Sequence, residues 1–259
     1  VQPNKFESFE RYLVDHQILS SSDTIEKYQD YWNKISSDVA ATRVEFERNF
    51  LTNDQPNNLV FSYQRLRAIG PISVALQPCT LIKHLSNAIS ESFNLSRCSI
   101  LLEEKGRGVE KIGQPFISTV GWLTSFFPIV TSVDTDLQKI DGVVYPEPMT
   151  GYSFQFSEAK KTMFANEALP IVGFNFLGQI EGFQNSDIVL EAFDFERSRV
   201  RQSSCPIDVT VDLTSEGTRV WVDIRNDVLA YTGDDGVRSW IARMIGVDES
   251  QIIYEVLDG

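Results

Sequence analysis

The sequence predicts an α+β fold, a mixed and largely antiparallel sheet flanked by helices, and three observations carry that expectation. Ile207, Val209, Val211 and Leu213 alternate with Asp208, Thr210 and Asp212, and Ser215-Glu216-Gly217 then turns the chain into an apolar run from Arg219 to Ile224. Alternation on both sides of a glycine turn is the mark of a hairpin. Other stretches space their apolar residues three and four apart, as amphipathic helices do. Finally, strands and helices do not alternate regularly, so the segments suit a sheet with helices on one side better than a doubly wound parallel sheet.

Phe6, Phe9, Leu13 and His16 mark a first helix, and Ile25, Tyr28, Trp32 and Ile35 a second. Asp23 followed by Glu26 offers the second a capping box. An Asn-, Asp- and Pro-rich loop over 52–58 leads to a short strand over 59–63. Leu81, Leu85, Ala88 or Ile89, and Phe93 then give a longer helix. Strands follow over 97–103, 120–130, 152–156 and 171–180, with a Pro- and Gly-containing loop over 141–151. Val237, Trp240, Ile241, Met244 and Ile245 mark a last helix that opens near Asp234 or Asp235.

A chain of 259 residues, 42% of them hydrophobic, can bury a substantial core. The 36 acidic residues outnumber 23 basic ones, and a formal charge of -13 repels a nucleic-acid backbone, so no nucleic acid is expected as partner. No apolar run is long enough for a membrane span, and Val1 opens no signal sequence. Cys79, Cys98 and Cys205 read as reduced thiols, which points to a cytoplasmic protein.

Phosphate loops, His-Glu-x-x-His, Cys-x-x-Cys and Gly-x-Ser-x-Gly are absent, so no metal site is expected. His16 and His84 sit on or beside apolar stripes and read as packing histidines. The run Leu101 to Gly108 holds more chemistry, since alternation puts Glu103, Lys105 and Arg107 on one side and Gly106 and Gly108 let a ligand approach the backbone. Cations beside Glu103 would favour its ionised form. Taken alone, the pattern is weak, and a solvated strand end with a glycine turn explains it better.

The same run, followed by Thr119-Val120-Gly121-Trp122-Leu123-Thr124 and Pro128, resembles the condensation/epimerisation family of nonribosomal peptide synthetases. There the pattern is Glu-Gly-His-Gly-Arg-Glu and then Thr-Val-Gly-Trp-Phe-Thr. Glu103, Gly106 and Arg107 match, while Lys105 replaces the His and Gly108 the last Glu. Gly151-Tyr152 resembles the family's Gly-Tyr-Gly, Phe174 to Gln179 its Phe-Asn-Tyr-Leu-Gly-Gln, and Cys205-Pro206-Ile207-Asp208 its His-Pro-Leu-Glu strand opening. The Phe-Asn-Phe-Leu-Gly-Gln form leans towards the epimerisation branch.

The resemblance implies a chloramphenicol acetyltransferase-like half-domain: residues 1–40 as a helical connection and 41–259 as the C-terminal lobe. In the family two lobes enclose a tunnel where substrates meet on phosphopantetheine arms of carrier proteins. The expected partners are therefore a peptidyl or aminoacyl carrier protein and the N-terminal lobe, and an isolated lobe could self-associate. No cofactor is expected to bind directly. The resemblance casts Glu103 as an acid/base, with Lys105, Arg107, Tyr152 and Asn175 lining the tunnel. The other lobe's His-His-x-x-x-Asp-Gly has no counterpart in this sequence, so the chain alone is expected to be inactive. The alternative is a non-catalytic carrier-docking or scaffold module, which the altered Lys105 and Gly108 would permit.

Overall fold

The structure, a computed structural model, describes residues 26, 28–49, 61–71, 77–105, 124–132, 154, 157–165, 169–179, 200–201, 205–215 and 217–257. The described elements are helices α1 (Gln29–Glu47), α2 (Pro78–Ser92), α3 (Glu158–Ala165) and α4 (Asn226–Ile245). The strands are β1 (Phe61–Gly70), β2 (Arg97–Lys105), β3 (Thr124–Ser132), β4 (Val172–Gln179), β5 (Val200–Arg201), β6 (Ile207–Thr214), β7 (Gly217–Arg225) and β8 (Ile253–Leu257). The expected helix over Phe6–His16 and the loop over 52–58 lie outside the described residues.

The strands form one mixed sheet in the order β3-β2-β4-β6-β7-β1-β5, with β8 also paired to β1. Among the described strands only β2/β4 and β4/β6 run parallel; β2/β3, β6/β7 and the three pairings of β1 are antiparallel. The expected hairpin is β6/β7, paired from Ile207 opposite Ile224 to Thr214 opposite Gly217. Its turn requires glycine at 217, where φ is 151° and a Cβ would be driven into the carbonyl oxygen of Gly70. β3 forms one edge, which is why Pro128 can sit within it opposite Leu101 without removing an interior ladder bond.

Strand alternation sorts side chains into two faces. One face carries Ile100, Leu102, Phe174, Val209, Val211, Val220, Val222, Leu66 and Ala68, all buried. α2 and α4 cover it. Gly70 lies so close beneath Ile245 of α4 that a Cβ there would collide with its methyl group, and Trp240 of α4 donates Nε1–H to Ser92 Oγ of α2 at 2.7 Å. Phe46, Phe93, Tyr231 and Trp240 continue this core in a run of ring contacts 4.6–5.9 Å apart.

α1 lies on the opposite face, so helices flank the sheet on both sides rather than on one. Its Thr42 hydroxyl contacts Ser99 Oγ at 2.7 Å, and Ser99 Oγ in turn accepts the Ile171 amide at 3.1 Å. Asp38 pairs with Arg97, and Arg43 donates to the Leu169 carbonyl. These partners stand at the starts of β2 and β4. Among the described helices α1 therefore covers one end of that face and stops short of the strand ends beyond it.

Several elements depart from the sequence reading. β1 runs on to Gly70, past the expected end at Tyr63, because Arg65 and Arg67 alternate with buried Leu66 and Ala68. β3 spans Thr124–Ser132 rather than 120–130. Of the strand expected over 152–156 only Phe154 is described; its backbone is helical and its ring packs on Trp32 at 4.9 Å. Ser157 donates to the Phe154 carbonyl and accepts the Lys160 amide, starting α3 directly after the stretch that alternation reads as strand. α4 opens at Asn226, and Gly233, at φ 69° and ψ 166°, breaks it just before Asp234. The expected start at Asp234 or Asp235 is thus the restart of a kinked helix.

Candidate functional site

β2 and β4 run parallel with Glu103 opposite Asn175. Parallel register brings the last turns of both strands to the same end of the sheet, away from α1, and alternation puts both side chains on the face that α1 covers only at its other end. There Asn175 Nδ2 donates to Glu103 Oε2 at 2.7 Å. A carboxylate accepts at either oxygen, so the amide holds one oxygen and orients the carboxylate plane. Both side chains are half-buried.

The pair belongs to a row that crosses the sheet. Register places Phe126 of β3, Glu103, Asn175, Thr210 of β6, Trp221 of β7, Arg67 of β1 and Glu255 of β8 side by side on one face. Away from Glu103 the charges neutralise one another. Arg65 makes two hydrogen bonds to Asp223 at 2.8 and 3.1 Å, Arg219 two to Asp212 at 2.7 and 2.9 Å, and Arg67 pairs with Glu255. The guanidinium groups of Arg65 and Arg67 lie 5.9 and 5.6 Å from the Trp221 ring.

Lys105 ends β2 with its backbone opposite Thr124, and its side chain is outside the described residues. Arg107 and Tyr152, like His16, also lie outside them. His84 is on α2, on the far side of the sheet from Glu103, with Nδ1 buried and without a hydrogen-bond partner. Thr210, Trp221 and Phe126 were not singled out from the sequence. Alternation within β6 and β7 is legible there, but their meeting with Glu103 depends on pairing between strands distant in sequence. Among the described residues no group of three or more His, Cys, Asp or Glu side chains is placed to hold a metal ion, and no helix is long and apolar enough to cross a membrane.

A solved epimerisation domain, from the third module of tyrocidine synthetase B, superimposes with a TM-score of 0.57 at 17% identity, covering 95% of this chain and 61% of that domain. The chain has the fold of part of a condensation/epimerisation domain. The first condensation domain of the calcium-dependent antibiotic synthetase, solved with a substrate analogue, gives a TM-score of 0.54 at 14% identity over 95% of this chain and 54% of its own. In sequence, Gramicidin S synthase 1 of Brevibacillus brevis is 22% identical over 85% of this chain. No family model matches. The chain spans about three fifths of the solved epimerisation domain and 21% of Gramicidin S synthase 1.

Proposed function

We propose that this chain is the C-terminal lobe of a condensation/epimerisation-type domain that acts on aminoacyl or peptidyl thioesters held on the phosphopantetheine arm of a carrier protein in the cytoplasm. The observation that carries the reading is the 2.7 Å hydrogen bond that aims Glu103 from the strand ends left clear of α1. In this scheme the Glu103 carboxylate removes the α-proton of the thioester and becomes a carboxylic acid, and the electron pair of the C–H bond moves into the thioester as an enolate. Reprotonation from the opposite face comes from the histidine of an N-terminal lobe. Asn175 is a positioning residue, since its amide touches the carboxylate rather than the substrate. Lys105, Arg107 and Tyr152 would line the tunnel between the lobes, and the exposed tunnel face could pair with a second copy when the N-terminal lobe is absent.

The test is solvent-deuterium exchange at the α-carbon of a carrier-bound aminoacyl thioester, with this chain paired to a lobe bearing His-His-x-x-x-Asp-Gly. Glu103→Gln keeps the shape and can still accept from Asn175, yet it cannot take the proton, so exchange should fall by about 100-fold or more. Exchange at the full rate in that variant removes Glu103 from the mechanism. The chain without the second lobe should give no exchange above background, because one wall of the tunnel that holds the substrate is absent.

A further inference from the structure

Beyond α1 this face of the sheet carries many polar groups, among them Glu103, Asn175, Thr210, Arg67, Arg219, Asp212 and Glu255. Trp221 and Ile253 are large apolar side chains on this face too, and nearest to Glu103 and Asn175 stand Phe126 and Leu177, each 38% exposed. Phe126 stands directly opposite Glu103 on the edge strand β3, and opposed residues of an antiparallel pair project to the same side. Leu177 is two residues beyond Asn175 and directly precedes Gly178, which pairs with Asp212 of that face. A bulge lies there, since the register with β6 shifts between Phe176 and Gly178, and Gly178 takes φ 73°. Bulges re-aim side chains, and here the bulge lets Leu177 stand out while Phe176 keeps its packing against the core.

The two apolar groups thus bracket the Glu103–Asn175 pair. They are separated by about two strand spacings across the sheet and two residues along it, roughly 12 Å, so a hydrocarbon side chain lying over the Glu103–Asn175 pair could touch both. Neither belongs to the buried core, which includes the α2/α4 face and the α1 contacts at the other end of this face. Covering them with an apolar group would therefore release water from apolar surface beside a polar site that fixes where the ligand's reacting atoms lie.

We infer that Phe126 and Leu177 form the apolar wall that receives the side chain of the aminoacyl thioester, so that this site selects substrates with large apolar side chains. The inference rests on the reading of Glu103 as the residue that meets the α-carbon. The wall acts on binding, and selection by hydrocarbon contact gives discrimination of about tenfold to a hundredfold.

Its test compares α-proton exchange on leucyl-, phenylalanyl- and alanyl-pantetheine thioesters in the two-lobe protein, for the parent chain, Phe126→Ala, Phe126→Leu and Leu177→Ser. Phe126→Ala should lower kcat/KM for the leucyl and phenylalanyl substrates by about tenfold, mostly through KM, and change the alanyl substrate less than about twofold. Phe126→Leu should restore most of the loss, and Leu177→Ser should act in the same direction more weakly. Glu103→Gln, run alongside, should depress all three substrates together. If it does so while Phe126→Ala lowers all three equally, Phe126 meets the other lobe rather than the substrate; the wall is overturned and the role of Glu103 stands. Full exchange in Glu103→Gln, or none in the parent protein, would overturn the reading of Glu103 and the wall with it.

Discussion

The two faces of the sheet are made by the same strands and obey different rules. On the face beneath α2 and α4, Leu66, Val209, Val211, Val220 and Val222 are almost completely buried, and their identities answer to volume and packing. On the other, Arg65, Arg67, Arg219, Asp212, Asp223 and Glu255 answer to pairing, and Glu103 accepts from Asn175. α1 marks the boundary, because it covers the start of β2 through Ser99 and Arg97 and stops short of Glu103. A single strand such as β2 therefore holds the fold with Cys98, Ile100 and Leu102 and presents chemistry with Glu103. A register slip of one residue would exchange those roles, so the packed face fixes the geometry of the open one.

Substitutions can break or sharpen that contrast. The largest effect belongs to the packed face: Leu66→Ala should lower unfolding stability by about 3 kcal/mol through lost burial and the cavity left behind. The urea midpoint would fall with an unchanged slope, whereas a negligible shift would mean that this face is not the core.

An intermediate effect comes from Cys98, also on the packed face, whose thiol burial pushes up to about 12 from an ordinary 9.0. A thiol held protonated in the folded state and free to ionise in the unfolded one stabilises the fold below pH 9. As pH climbs from 9 towards 12 the unfolded chain loses its proton first, so stability drops by about 1.4 kcal/mol per pH unit. Cys98→Ala should flatten that part of the profile in urea titrations at pH 8, 9 and 10; an unchanged slope would assign the alkaline loss to other groups.

The smallest effect belongs to the open face. Arg67 pairs with Glu255, and their side chains are 32% and 42% exposed. Arg67→Ala should cost less than about 1 kcal/mol, because solvent already screens the pair. A loss as large as that of Leu66→Ala would show this face to be structural as well.

Legibility in the sequence followed the same division. The β6/β7 hairpin, α2 and the apolar half of α4 were readable because their signal is periodic and local: Val209, Val211 and Val220 on a period of two, Leu81, Leu85 and Ile89 on the helical period. β1 beyond Tyr63 was missed because Arg65 and Arg67 disguise a half-polar strand, and α3 because Phe154 and Phe156 mimic alternation. Glu103 and Asn175 were each found by motif, 72 positions apart.

The sequence by itself determined which residues alternate, which stripe a helix buries, and that a carboxylate stands near a glycine-rich strand end. Tertiary structure alone decided that Glu103 meets Asn175, that Phe126 stands beside them, and that α1 covers one end of their face. The physical reason is that side-chain period is a property of a few consecutive residues. Strand order and register are chosen only when distant segments bury their apolar faces together.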